Sequence, residues 1–67
     1  MDMKELAREY RHSAALIRDR TEELKTKAKS PRISPDERYG LNQRIVDLEL
    51  IMGETMRTAN TLETYYG

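Results

Sequence analysis

From Met3 to Ala28 the residues Met3, Ala7, Tyr10, Ala14, Ile17, Thr21, Leu24 and Ala28 recur at alternating spacings of four and three. A second stripe with the same rhythm follows as Leu41, Ile45, Leu48, Met52, Thr55, Ala59, Leu62 and Tyr66. This period puts one line of side chains along each of two helices and asks each helix to face another. Between the stripes lies Ser30-Pro31-Arg32-Ile33-Ser34, a break five residues long. The pattern predicts an all-α fold: an antiparallel, coiled-coil-like two-helix hairpin forming a single domain over 1–67. Helix 1 is predicted over about 3–29, the turn over 30–34 and helix 2 over about 35–66.

Start and stop signals agree with these limits. Helix 1 has no Gly or Pro and closes on Lys25, Lys27 and Lys29, cations suited to the negative end of the helix dipole. Ser30 precedes a proline, which disfavours helical geometry there. In Ser34-Pro35-Asp36-Glu37 the serine is the expected N-cap, Pro35 fits the first turn, and Glu37 completes a capping box. Ile33 is positioned to staple back onto Arg38 or Tyr39. Folded antiparallel, the stripes register as Ala28/Leu41, Leu24/Ile45, Thr21/Leu48, Ile17/Met52, Ala14/Thr55, Tyr10/Ala59, Ala7/Leu62 and Met3/Tyr66. Six of the eight layers set a small residue against a larger one or a branched residue against a flexible one, as close packing favours.

The seam does not absorb all the apolar residues. Leu6, Leu16, Tyr39, Val46, Leu50, Ile51 and Met56 lie off it. In Ile45-Val46-Asp47-Leu48-Glu49-Leu50-Ile51-Met52 the apolar positions run almost all round the helix, as in a helix with several neighbours. Gly53 continues a Val46/Leu50 stripe, where it costs about 1 kcal/mol relative to Ala and permits a close backbone approach. The expected interface is therefore Leu6, Leu16, Val46, Leu50, Ile51, Gly53 and Met56. The expected partner is a second copy, giving a homodimeric four-helix bundle with helix 2 innermost. A different protein is the other candidate occupant.

Charged residues make up 36% of the chain and the net charge is zero, so no overall field draws in nucleic acid or membrane. Residues 1–34 carry nine Lys or Arg against six Asp or Glu, and residues 35–67 carry three against six. The halves are thus +3 and −3. Antiparallel packing brings them together. Cysteine is absent, in keeping with a reducing compartment. The N-terminal Met1-Asp2-Met3-Lys4-Glu5 is charged where a signal peptide needs an apolar run. No stretch reaches the ~18 apolar residues of a membrane span. These features point to a soluble cytoplasmic protein.

Catalytic chemistry finds no parts, and neither an enzymatic activity nor a cofactor is expected. The one histidine, His12, stands with Glu9 at the spacing used by di-iron bundles. Both fall on the outward side of helix 1, so no metal site is expected. Glu22-Glu23 and Asp36-Glu37 are adjacent pairs that diverge by about 100° on a helix. No glycine-rich loop offers a phosphate cradle or other small-molecule site. Lys4, Arg11, Arg18 and Lys25 recur every seven residues beside the seam, with Lys27, Lys29 and Arg32 near the turn. Such a ladder can hold a nucleic-acid backbone, as in plasmid copy-control hairpins, which it resembles in architecture alone. The reading preferred here is that these cations pair with Asp47, Glu49, Glu54 and Glu63 of helix 2 and fix the register.

The segments Leu6-Ala7-Arg8-Glu9-Tyr10-Arg11, Arg44-Ile45-Val46-Asp47-Leu48-Glu49 and Thr61-Leu62-Glu63-Thr64-Tyr65-Tyr66 span most of the chain. In them it resembles short uncharacterised helical-hairpin proteins of Gram-positive bacteria, often associated with phage or mobile elements. That resemblance implies a small accessory or regulatory protein and transfers no functional residues. The function expected is that of a non-enzymatic, self-associating protein–protein interaction module, with a nucleic-acid-binding regulator as the alternative.

Overall fold

The computed structural model describes residues 2–66, and for Tyr66 the backbone alone. Two helices, α1 (Met3–Ala28) and α2 (Pro35–Tyr66), pack against each other across a short turn. They run antiparallel: Arg11 near the start of α1 pairs with Glu63 near the end of α2, and Lys25 with Glu49. The product is a rod with extents of 48 × 14 × 14 Å.

Each helix end has an identifiable cause. Asp2 caps α1, its Oδ1 accepting from the Lys4 N–H at 3.0 Å. The sequence signal, an aspartate three residues before Glu5, resembles the one read at Ser34. α1 stops one residue before the expected Lys29, which becomes its C-cap and donates to the carbonyls of Lys25 and Thr26. At the start of α2 the Ser34 hydroxyl accepts from the Glu37 N–H at 3.2 Å. It donates to Glu37 Oε1 at 3.3 Å, so that carboxylate engages the cap hydroxyl. Tyr39, the apolar candidate for a staple with Ile33, is 68% exposed. Its neighbour Arg38 reaches back instead, donating to the carbonyls of Ala28 and Ser30, both at 3.0 Å.

The buried core is thin: Ala7, Ala14, Thr21 and Leu24 on α1, with Ile45 and Ala59 on α2. All six belong to the predicted stripes. The remaining seam residues Ile17, Ala28, Leu41, Leu48, Met52, Thr55 and Leu62 are half-buried, and Met3 and Tyr10 are exposed. The predicted Met3/Tyr66 layer depends on the Tyr66 side chain, which lies outside the described residues. One facing helix buries Leu24 and Ile45 but leaves a flank of the other large seam residues open. Thr21, the buried polar residue, donates its hydroxyl to the Ile17 carbonyl at 2.8 Å and so carries no unmet hydrogen bond.

The shape has a consequence for surface. The Cα radius of gyration is 15.3 Å, against about 11 Å for a compact domain of this length. The accessible surface is 5200 Å², roughly 800 Å² above the ~4400 Å² of a compact monomer of this mass.

Candidate interaction surfaces

The hairpin has a charged edge. Arg11 makes a forked ion pair with Glu63, Nε to Oε1 and Nη2 to Oε2, each at 2.7 Å, while Nη2 also reaches Asn60 Oδ1 at 2.8 Å. The hydrogen bond from Arg11 holds the Glu63 carboxyl below its ordinary range, partly opposed by desolvation. The same bond raises the Arg11 guanidinium. Fourteen residues further along both helices, Lys25 Nζ lies 3.7 Å from Glu49 Oε2 and 3.7 Å from Glu22 Oε1. The equal advance from 11 to 25 and from 63 to 49 is two heptads, the step an antiparallel coiled-coil register repeats. Arg18, the cation midway, comes closest to its neighbour Asp19, at 3.4 Å. With Arg11, Ala14, Ala15, Met52 and Met56 it lines an interhelical groove of about 310 Å³.

Two of the four acids expected opposite this ladder are engaged across the helices, Glu49 and Glu63. Asp47 and Glu54 have no ion pair among the described residues. The reason is angular: at about 100° per residue both rotate away from the charged edge, onto the outer flank of α2 on its Ile51 side. Lys4, Lys27, Lys29 and Arg32 are exposed and likewise have no ion pair among the described residues. The nucleic-acid candidates Arg11 and Lys25 are therefore tied to α2, whereas those at the turn stand clear of it. Glu9 and His12 are exposed, and among the described residues no group of three His, Cys, Asp or Glu could hold a metal. No described helix is long and apolar enough to cross a membrane.

The seven candidate interface residues do not form one surface. Leu6 and Ile51 precede the seam residues Ala7 and Met52 and border the edge opposite the ion pairs, whereas Leu16, about 80° from Leu6 around α1, lies on the same side but turns further outward. Leu16 is 57% exposed and Ile51 49%; Leu6 is half-buried beside Glu9, Tyr10 and Ser13. Val46 and Leu50 stand two residues either side of Leu48 and so point away from α1 altogether; they are 54% and 62% exposed. Gly53 shares that outward line, and nothing lies within 4 Å of where its Cβ would be. The backbone approach it permits is not made by α1. Met56 is half-buried on the charged edge, in the groove with Arg18.

Sequence reasoning missed Arg38. Its tie to the α1 C-terminus has no periodic signature, since it depends on how tightly the chain reverses. Comparison with protein-family models, with curated proteins and with solved structures finds no match.

Proposed function

We propose that this chain is a non-enzymatic interaction module that pairs with a second copy through the edge carrying Leu6, Leu16 and Ile51, forming a homodimeric four-helix bundle. The observation that carries this reading is the exposure of Leu16 and Ile51, two branched apolar side chains about half exposed on the side free of cross-helix ion pairs. Leu16 lies midway along α1 and Ile51 midway along α2, so a two-fold axis through this edge brings both into the centre of the contact. Its flanking charges are of both signs, Arg20, Lys27 and Arg44 with Glu9 and Asp47, as a self-complementary surface requires. The surplus of roughly 800 Å² matches what each partner buries in a standard interface. The absence of cysteine suits a cytoplasmic setting, and the resemblance to short Gram-positive hairpins suits an accessory or regulatory role.

Light scattering on the purified chain tests the proposal. The expected mass is twice the 7.9 kDa of one chain, returning to the single-chain value in the Leu16→Glu, Ile51→Glu double variant. A monomeric parent, or a variant of undiminished mass, sinks it.

A nucleic-acid role has narrower support, in the exposed Lys27, Lys29 and Arg32 near the turn. Arg11 and Lys25 would have to leave Glu63 and Glu49 to join them. An electrophoretic shift with generic RNA and DNA at low salt separates the readings. Salt-sensitive binding favours this second one, and none at micromolar protein removes it.

A further inference from the structure

The outward line of α2 is a second surface, separate from the self-pairing edge. Tyr39, Val46 and Leu50 are 68%, 54% and 62% exposed, and they fall within about 40° of one another on the helix at ~100° per residue. They extend over roughly 16 Å at 1.5 Å per residue, about three turns. α1 lies on the opposite side, against Ile45 and Ala59, and cannot cover them.

The charges beside this line have one dominant sign. Asp36, Asp47 and Glu54 flank it on one side and Glu49 on the other, all exposed. Asp36, Asp47 and Glu54 have no ion pair among the described residues, and Arg57 is the cation at the far end. An apolar stripe between acidic borders discriminates strongly among occupants. A second copy laid stripe to stripe brings carboxylates together, Asp47 near Asp47 and Glu49 near Glu49 when antiparallel and the Asp47 flank near the Glu49 flank when parallel, which opposes pairing. Nucleic acid and anionic lipid are repelled by the same borders. A helix with apolar anchors about one turn apart and Lys or Arg on both sides meets both features at once. Gly53 leaves room beyond Leu50 for that helix to approach closely.

We infer that the Tyr39–Val46–Leu50 line of α2 is the docking site for a basic amphipathic helix of another protein. Leu16 and Ile51 take no part in it, and although Asp47 borders both surfaces, substitutions at Val46 and Leu50 test this one apart from the self-pairing one.

The test is fluorescence anisotropy of two labelled synthetic helical peptides sharing one leucine stripe, one flanked by Lys and Arg and one by Glu, titrated with the full chain. The basic peptide binds and the acidic one does not, and binding weakens between about 50 and about 500 mM salt as screened charges require. Val46→Gln with Leu50→Gln weakens binding by about tenfold or more; both positions are exposed, and circular dichroism checks that the helices persist. Asp47→Lys with Glu54→Lys shifts the preference toward the acidic peptide. Absent binding, equal binding of both peptides, or affinity unmoved by the glutamine pair overturns the inference. So does a loss of dimer mass in the glutamine pair, which would place a second copy on the stripe.

Discussion

Arg38, in the first turn of α2, donates its Nε–H to the carbonyl of Ala28, the last residue of α1, at 3.0 Å. The same guanidinium reaches Ser30 O with Nη2 at 3.0 Å. Helix C-termini leave carbonyls without intrahelical partners, and here the following helix supplies a donor. One side chain thus joins the end of α1 to the start of α2 and sets how sharply the chain reverses.

Replacing Arg38 with Leu removes both bonds, and a loss of about 1–2 kcal/mol is expected for charge-assisted hydrogen bonds in a half-buried setting. In a domain of this size each kcal/mol lowers Tm by about 4–8 °C. Arg38→Lys should recover only part, because an ammonium cannot fork to two carbonyls in the same way. Thermal melts followed by circular dichroism measure both variants. A Leu variant as stable as the parent would show that the turn holds without this tie.

Ala59 is fully buried in the seam, so enlarging it should force the helices apart. Ala59→Leu is expected to cost ~1–3 kcal/mol, read as a lower urea midpoint. A gain in stability would mean that the seam has a void there.

Ser34→Ala removes the acceptor for the Glu37 N–H and should cost about 1 kcal/mol, whereas Ser34→Asp restores an acceptor and most of the stability. Urea midpoints compare the three chains. Equal loss in both variants would place the effect elsewhere than in the cap.

The Arg11–Glu63 pair predicts a pH dependence. Its carboxyl titrates lower in the folded chain than the ordinary 4.5. The folded state therefore gains from the ionised form above that value and loses the gain as pH falls through the depressed folded pKa. Because the pair is solvent-exposed the effect is modest. Glu63→Gln should flatten the acid-side decline in thermal midpoint between neutral pH and the acid limb, with little change in its helical signal. An unaltered acid slope would assign the decline to other carboxylates.

The helices and their seam were legible because their determinants are local or periodic. The four-three spacing marked every buried residue of the core, and Ser34-Pro35-Asp36-Glu37 marked the start of α2. The candidate interface residues were legible only as leftovers. Seven side chains outside the seam were grouped as one candidate interface, but their rotation about each helix places Leu16 and Ile51 on the side free of cross-helix ion pairs and Val46 and Leu50 on the back of α2. Asp47 and Glu54 misled for the same reason: charge complementarity between halves says nothing about which side of a helix a carboxylate occupies.

By itself the sequence determined two antiparallel helices, their limits to within a residue, and a surplus of apolar surface on α2. Periodicity and capping act within a few residues of chain, so they can be read from it. Only the tertiary structure decided which cations meet which acids, how Arg38 seals the turn, and how the surplus divides into two surfaces. Those outcomes depend on the rotation of one helix about the other, a quantity no single stretch of chain encodes.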